Sequence, residues 1–333
     1  MIVDCAHYVR GVRQDFGEMT VEQAAARRRS GGSFVWLEVQ EPGAELMGEL
    51  RRRFDLHELA VEDATRAHQR PKVEGYDDFY FIVFRTARYN EGEGQVEFGE
   101  LELFVGSGYV IAVRHGPTAA DSAQVRRSLE QRPELLKSGP AAVVWGILDA
   151  VVDEYRPVAE ALERDIEVVE HGIFAERKDS TERIYFLKRE VSDFYRAVHP
   201  LLEPLDALER GAFEQIDPAL RRYFRDVNDH ARRVQEEVLA QRDQLTSALE
   251  ANVSLLTVRQ NDITARQSGI VKRLTVMASV FLPLTFLTGF FGQNFGWLVH
   301  HIDSFAAFVG LGLGGLAVAS VILLTWFRRG HYM

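Results

Sequence analysis

The stretch LTVMASVFLPLTFLTGFF at residues 274–291 decides the fold, because it carries no charge over a length that can cross a bilayer as a helix. A second uncharged stretch, FAAFVGLGLGGLAVASVILLTWF, follows at residues 305–327. Only GQNFGWLVHHIDS separates the two. Helices in soluble cores seldom stay uncharged on every face for this long. The sequence therefore predicts a transmembrane hairpin at residues 274–330 with a loop at 292–304, and disfavours a pair of buried core helices.

The charged residues beside these stretches predict their orientation. Arg266, Lys272 and Arg273 precede the first stretch, and Arg328 and Arg329 follow the second, whereas the loop between them has no Lys or Arg. By the positive-inside rule, both termini are cytoplasmic and the loop faces outside. We therefore expect a multi-pass protein of the cell membrane. Two helices of one chain cannot enclose a water-filled path, so a pore would require several subunits.

The first 218 residues predict a cytosolic α/β domain with a mixed sheet. Apolar runs predict strands at residues 34–39, 80–85, 101–105 and 109–113, and the last two read as a hairpin. Leu46, Leu50 and Phe54 share one face of a predicted helix. Strands that alternate with helices indicate the α/β class.

Two charged helices are predicted to cover this domain. One spans residues 141–172, and the other starts near Ser180, a candidate N-cap, and ends at His199 before a proline. The first carries five acids, namely Asp149, Asp153, Glu154, Glu160 and Glu163. A solvated face is the simplest interpretation of these acids.

A long stalk helix is predicted at residues 219–273, since residues 219–268 contain neither Gly nor Pro. Apolar residues recur at spacings of three and four, as in helices that pack on helices. They include Leu220, Phe224, Val227, Ala231, Val234, Val238, Leu245, Leu249, Leu256, Ile263 and Ile270. Gln241, Asn252, Arg259 and Arg266 interrupt this seam. Two interpretations of these four polar residues remain open, a wet passage or the setting of helix register.

The first apolar stretch also carries a recognisable motif. Pro283-Leu284-Thr285 precedes Gly289 and Phe291, and Gly292-Gln293-Asn294 follows at once. This pattern resembles the first span and signature of the CorA-type divalent-cation channels, in which the triplet is Gly-Met-Asn. Gln293 stands in place of the Met. Three cytosolic segments resemble the family too, namely Ala60-Val61-Glu62-Asp63, Arg70-Pro71-Lys72 and Tyr223-Phe224-Arg225-Asp226.

The resemblance implies a homopentameric funnel that admits magnesium and is gated by cytosolic magnesium. It implies a selectivity filter of Gly292, Gln293 and Asn294, and a pore lined by Leu274, Leu282, Thr285 and Gly289. It further implies that Asp63 and Asp226 meet across subunits and hold a regulatory magnesium ion. A ring of Asn294 carbonyl oxygens would accept hydrogen bonds from the waters that magnesium retains.

Structural interpretations of the same residues stand beside these roles. Gly292 and Asn294 also suit a turn that ends a helix. The hydroxyl of Thr285 also suits a bond to its own helix backbone. Asp63 and Asp226 also suit a solvated surface.

Two alternative functions remain. His300, His301 and Asp303 in the outer loop favour zinc, cobalt or nickel, since imidazole suits those metals better than magnesium. A membrane-anchored sensor or scaffold that conducts nothing would also suit two uncharged spans.

Composition excludes several other classes of function. The 333 residues carry a formal net charge of −10, which argues against nucleic acid as a partner. Cys5, the single cysteine, permits no intrachain disulfide or cysteine cluster. Residues 1–19 lack the apolar core of a signal peptide, so we expect the two spans to direct insertion.

Two enzyme-like strings are misleading, and we predict neither an enzyme nor a bound cofactor other than the metal ion. His57-Glu58-Leu59-Ala60-Val61 lacks the second His of a zinc protease. The glycines at 310, 312 and 315 match a dinucleotide motif by letters but lie inside an apolar span, where close helix packing explains them.

Overall fold

The computed structural model places the chain in two compact units, Met1–Asn252 and Val253–Met333. The residues that it describes are 1–17, 19–28, 32–67, 69–116, 122–175, 177, 179–211, 217–293, 295–301 and 304–329.

A seven-stranded mixed sheet forms the centre of the first unit. Its strands are β1 (Ile2–Val9), β2 (Val12–Gln14), β3 (Ser33–Gln40), β4 (Lys72–Gly75), β5 (Phe79–Asn90), β6 (Gln95–Gly106) and β7 (Tyr109–His115). The spatial order is β2-β1-β3-β7-β6-β5-β4. Among these strands, β3 and β7 pair in parallel, and the other neighbours are antiparallel. The predicted mixed sheet and the β6–β7 hairpin are confirmed, whereas β1, β2 and β4 were not predicted from the sequence.

Twelve α-helices are described, and most of them precede the second unit. They are α1 (Val21–Arg27), α2 (Ala44–Phe54), α3 (Glu58–Arg66), α4 (Ser122–Glu130), α5 (Pro133–Leu136), α6 (Pro140–Phe174), α7 (Ser180–Val198), α8 (Leu202–Arg210), α9 (Arg221–Phe291), α10 (Gly296–His301), α11 (Phe305–Ala307) and α12 (Gly314–Arg329). Short 3₁₀ turns occupy His199–Leu201 and Pro218–Leu220.

Helices α1 to α3 cover one face of the sheet and form its main apolar core. Leu37 of β3 and Ile111 of β7 are fully buried there, as are Leu50 and Phe54 of α2. The predicted helical face is thereby confirmed, although Leu46 is only partly buried. Full burial of each such side chain contributes about 1.5–3 kcal/mol. His57, the start of the protease-like string, is the N-cap of α3 and accepts a bond from the Leu59 amide.

Helices α6 and α7 cover the opposite face, and α6 is far more buried than its charges suggest. Its residues Leu148, Val152 and Tyr155 are at most 2% exposed, and the Tyr155 hydroxyl donates to the Arg85 carbonyl of β5. One face of α6 therefore belongs to the core, while its five acids lie at partly or fully exposed positions, consistent with the predicted solvated face.

The start of α7 also differs from prediction. Asp179 occupies the N-cap position, and Ser180 is the first helical residue. The Ser180 hydroxyl donates to the Arg177 carbonyl at 3.0 Å instead of capping the helix.

The predicted stalk is confirmed as α9, a single helix of 71 residues that continues through the first apolar stretch. The Asp217 side chain caps the preceding turn by accepting from the Ala219 amide. Within the first unit, the seam residues Phe224, Val238 and Leu245 are fully buried. Beyond Asn252 the same seam is exposed, as at Ile263, which is 50% exposed.

Two of the four polar residues in the seam hold α9 in register. The Gln241 amide donates to the Ala159 carbonyl of α6 at 2.8 Å. The Asn252 amide donates to the Thr181 hydroxyl of α7 at 2.7 Å. The register interpretation therefore holds for these two residues, while the side chain of Arg259 is partly exposed and that of Arg266 is exposed.

The second unit contains the second apolar helix, built from α11, a π-helical turn at Phe308–Leu313, and α12. By length and composition, two helices of the described chain can cross a membrane, Pro218–Phe290 and Phe305–Leu323. A Cβ atom added at Gly310 or Gly315 would meet nothing within 4 Å, so this surface is open to close packing. These glycines lie within an apolar helix rather than after a strand, as expected for packing and not for a dinucleotide.

Candidate ion pathway and cytosolic carboxylates

Four predicted pore-lining residues lie along one stripe of α9 within the first span. Leu282, Thr285 and Gly289 follow at steps of three and four, and Leu274 lies eight residues before Leu282, so the four fall on one helical stripe. Leu274 is 66% exposed and Leu282 is 74% exposed. Within the second unit, this stripe is therefore available to a neighbouring subunit or to water.

The threonine hydroxyls of the span donate to their own helix. Thr285 Oγ1 donates to the Phe281 carbonyl at 2.8 Å, and Thr288 Oγ1 lies 3.0 Å from the Thr285 carbonyl. This is the backbone bonding expected of threonine in a membrane helix. A hydroxyl oxygen that donates its proton in this way still has lone pairs for the waters of a hydrated cation.

The first span ends at the Gly-Gln-Asn triplet. The Gly292 amide donates to the Thr288 carbonyl at 3.0 Å, and the Gln293 amide donates to the Phe290 carbonyl at 3.3 Å. A Cβ at Gly292 would lie 3.2 Å from the Thr288 oxygen, so a larger residue would crowd the end of the helix. Gly292 and Gln293 are exposed, and Asn294 lies outside the described residues.

The outer-loop histidines do not converge on one point. His300 and His301 are consecutive on α10, where adjacent residues point about 100° apart. The His301 ring stacks on Trp297 with centroids 4.6 Å apart, and its Nδ1 lies 3.0 Å from the Trp297 carbonyl. Asp303 lies outside the described residues. Within the described chain, no group of three or more His, Cys, Asp or Glu is placed to hold a metal.

Asp63, a predicted regulatory ligand, forms a salt bridge with a lysine of the same chain. It lies on α3, and its Oδ2 is 2.7 Å from Lys72 Nζ. Lys72 also lies 2.8 Å from Glu74 Oε1. Burial lowers the Lys72 pKa, but the hydrogen bonds to the two carboxylates outweigh it and the pKa is raised. A divalent cation that binds Asp63 must therefore either displace the charged Lys72 ammonium group or bind next to it.

Asp226, the other predicted ligand, belongs to an acidic cluster that was not predicted from the sequence. It is exposed on α9, and its charge acts on Asp149 of α6. Partial burial and the charges of Asp153 and Asp226 raise the Asp149 pKa to about 6. His230 Nδ1 lies 3.7 Å from Asp153 Oδ1. Asp149 and Asp153 line a cavity of about 350 Å³.

A signal for this cluster was present in the sequence. Asp149 and Asp153 are four residues apart on α6, and Asp226 and His230 are four residues apart on α9, so each pair shares a helical face. What the sequence did not show is that α6 and α9 bring the two faces together.

The fold and these sites define a two-span membrane protein with a cytosolic α/β domain, and comparison with known proteins identifies its family. The family described as CorA-like Mg²⁺ transporter protein matches residues 31–329. The chain therefore belongs to this family of divalent metal transporters and is not an enzyme. It is a membrane protein with two transmembrane helices and a cytoplasmic domain.

Individual relatives agree with this assignment. The chain is 27% identical over 281 residues to the cobalt/magnesium transport protein CorA of Thermotoga maritima, covering 84% of this chain and 78% of that one. It is 24% identical over 275 residues to the zinc transport protein ZntB of Photorhabdus laumondii, covering 79% and 77%. The structure of the CorA magnesium transporter of Methanocaldococcus jannaschii matches with a TM-score of 0.65 at 18% identity, covering 100% of both chains.

Proposed function

We propose that the chain is one subunit of a homopentameric channel that admits Mg²⁺ to the cytosol. The observation that carries the proposal is α9, which runs without interruption from the cytosolic unit through the first span to the Gly-Gln-Asn triplet. A divalent ion that crosses a potential of 100 mV gains about 4.6 kcal/mol, twice the value for one charge. The membrane potential therefore suffices as a driving force.

The pore lies along the stripe of Leu274, Leu282, Thr285 and Gly289, with the five copies surrounding a common axis. Its mouth is the filter of Gly292, Gln293 and Asn294. Amide oxygens there accept hydrogen bonds from the hydration shell of magnesium, which loses water reluctantly.

Uptake of magnesium by liposomes that contain the purified protein tests this filter. Asn294→Ala should reduce uptake at least about a hundredfold while the oligomer remains assembled, because the ring of acceptors is lost. Gln293→Met, the matched control, should retain uptake. The filter is wrongly placed if Asn294→Ala conducts like the unmodified protein. If the unmodified protein itself conducts no ion in the same liposomes, it is a sensor or scaffold.

Zinc, cobalt or nickel is the alternative cargo, supported by His300, His301 and Asp303 and by the similarity to a zinc transport protein. The divergence of the two imidazoles around α10 favours magnesium. An ion series in the liposome assay decides between them. If zinc is carried faster than magnesium, and His300→Ala with His301→Ala removes that difference, zinc is the cargo.

Orientation follows from the positive charges beside the spans, with the termini in the cytoplasm and residues 292–304 outside. In a Cys5→Ala background, a cysteine at Ser304 should react with an impermeant reagent outside intact cells. A cysteine introduced at Met333, which lies outside the described residues, should react only after permeabilisation. Labelling of both positions in intact cells would contradict the hairpin.

Cytosolic magnesium closes the channel by binding between Asp63 of one subunit and Asp226 of the next. Two facing carboxylates repel, and a divalent ion between them replaces repulsion by attraction. The ion shifts the gate only through a higher affinity for the closed form. The nearness of Asp149 and Asp153 to Asp226 adds negative charge at this place, whereas Lys72 offsets the charge of Asp63.

Patch recordings at varied internal magnesium test this clamp. The double variant Asp63→Ala with Asp226→Ala should conduct but require about tenfold more internal magnesium for closure. Glu62→Ala is the matched control, since Glu62 lies beside Asp63 but pairs with Arg66 at 2.7 Å. An unchanged response of the double variant would remove the clamp while leaving the conduction proposal intact.

A further inference from the structure

A basic cavity of about 440 Å³ lies in the first unit, away from the carboxylates described above. The segment before β4 forms one wall with Gln69 and Arg70, and β5 contributes Arg85. The end of α7 and the turn after it supply Tyr195, Arg196 and His199. The cavity volume lies within the roughly 300–1,000 Å³ of small-molecule sites.

The side chains that line this cavity carry positive charge only, although the buried Glu100 carboxylate, opposite Arg85 in the β5–β6 ladder, accepts from the Gln69 amide at 2.9 Å. Three arginines line it, and its described lining residues include no carboxylate, although the whole chain carries a net charge of −10. Arg196 pairs with Asp193 on α7. Arg70 and Arg85 form no ion pair within the described part of the chain, and the Arg85 guanidinium lies 5.9 Å from the Phe98 ring. Like charges that converge on a partly enclosed space repel one another, and a bound anion relieves that repulsion.

The histidine of the cavity is oriented as a further donor. Gln235 Nε2 lies 2.9 Å from His199 Nδ1. An amide nitrogen only donates, so Nδ1 accepts, and the proton of the neutral ring is on Nε2. The His199 ring stacks on Tyr195 at 4.9 Å, with 9° between the planes. The Arg242 guanidinium of α9 lies 4.8 Å from the centre of the same tyrosine ring, so the stalk helix packs against the aromatic side of the cavity.

We propose that this cavity binds a small, multiply charged oxyanion of the phosphate class. The occupant is inorganic phosphate or the phosphate end of a small organic phosphate. A guanidinium group offers paired donors that match two oxygens of a phosphate, and such charge-assisted bonds are about twice as strong as neutral ones. The arrangement also gives a role to Arg70, which the transport mechanism leaves unused. The proposal does not depend on which cation the channel carries.

Isothermal titration of the full-length protein in detergent, without divalent cations and at low chloride, tests the site. Pyrophosphate, inorganic phosphate and glycerol 3-phosphate are the probes. Arg70→Gln and Arg85→Gln should each weaken binding of the tightest probe about tenfold or more. Arg88→Gln, which removes an exposed cation from the same strand, should leave the affinity unchanged.

The outcomes separate cleanly. Stronger binding of glycerol 3-phosphate than of inorganic phosphate identifies an organic phosphate as the occupant, and the reverse order identifies the free ion. Arg70 is exposed and holds no structural ion pair among the described residues, so Arg70→Gln decides the matter if Arg85→Gln fails to fold. The proposal is overturned if none of the three probes binds, or if Arg70→Gln and Arg88→Gln bind them alike.

Discussion

The two halves of α9 carry the same spacing of apolar residues and meet opposite environments. From Arg221 to Asn252 the seam is buried within its own unit, with Phe224 and Leu245 at 0% exposure. From Val253 onward the pattern continues, yet Leu256 is 46% exposed and Ile270 is 66% exposed. An apolar helical stripe predicts burial against other apolar groups, but the pattern does not identify which groups these are. The first half is covered by its own chain, and under the proposed homopentamer the second half is covered by neighbouring subunits and lipid.

Phe224→Ala should give the largest effect on stability. The side chain is fully buried, so truncation should cost about 3–5 kcal/mol in the free energy of unfolding of the cytosolic unit. The cost should not depend on protein concentration, since the contacts are within one chain. Tryptophan fluorescence during denaturation of the detergent-purified protein measures it. A cost below about 1 kcal/mol would contradict the tight packing of the first half.

Leu256→Ala, the matched change in the exposed half, should cost about 2 kcal/mol in the assembled protein only. Contacts between subunits obey mass action, so the cost should shrink as the protein is diluted below its assembly concentration. A dilution series with the same fluorescence readout checks this. If the cost persists in monomers, Leu256 is covered by its own chain and the contrast between the halves fails.

Asp149→Asn should have a smaller effect that depends on pH. The Asp149 pKa is raised from 3.8 to about 6, so the folded state holds this proton more tightly than the unfolded state does. This contribution to stability is therefore present at low pH and is lost as pH rises from about 4 through 6. Solvent screening of this partly exposed group reduces the loss to about 1 kcal/mol.

The asparagine variant cannot ionise, so it should be about 1 kcal/mol more stable than the unmodified protein at pH 8 without divalent cations. At pH 4 the two should be equally stable. Denaturation at both pH values measures the difference, with Glu160→Gln on the same helix as a control. An advantage for the variant that is equal at pH 4 and pH 8 would show that charge repulsion is not its cause.

Gln241→Leu should have the smallest effect. It removes the hydrogen bond to Ala159, worth about 0.5–1.5 kcal/mol, but also a buried Oε1 that has no partner among the described residues. The two terms nearly cancel, so we expect a change within about 1 kcal/mol in the free energy of unfolding. Asn252→Leu, which only loses its bond to Thr181, should be the more destabilising of the two. If Gln241→Leu is instead the more destabilising, the Gln241 hydrogen bond contributes more than the Asn252 hydrogen bond to fixing the register of α9.

Much of the fold was predictable because its signals are local. The uncharged lengths of the two spans, the short apolar runs at 34–39 and 109–113, and the absence of Gly and Pro in residues 219–268 each report on the chain within a few turns. Strand β1 was missed because IVDCAHYV mixes charged and polar residues into a strand that lies beside β3. Strands β2 and β4 were missed because they are only three and four residues long. The acid-bearing face of α6 is partly or fully exposed as expected, whereas the extent of burial on its opposite face depends on packing against β5 and β6.

Some features of the candidate sites could likewise be predicted from neighbouring residues, and others could not. The resemblance to the family implied the Gly-Gln-Asn triplet and the stripe of Leu282, Thr285 and Gly289, whose residues are close together in the sequence. The Lys72 bond to Asp63 and the field of Asp226 on Asp149 join residues that are distant in sequence. The order and spacing of residues do not show which charged groups that are distant in the sequence lie next to each other in the fold.

By itself, the sequence determined the two spans, since bilayer thickness and helix periodicity act on consecutive residues. It also predicted their orientation and carried the motif that resembles the family. Only the tertiary structure decided which half of α9 is covered by its own chain, which acids meet Asp226, and which arginines converge on one cavity. The physical reason is that burial and Coulomb energy depend on distances in space. Those distances are set when α6, α7 and α9 pack against the sheet.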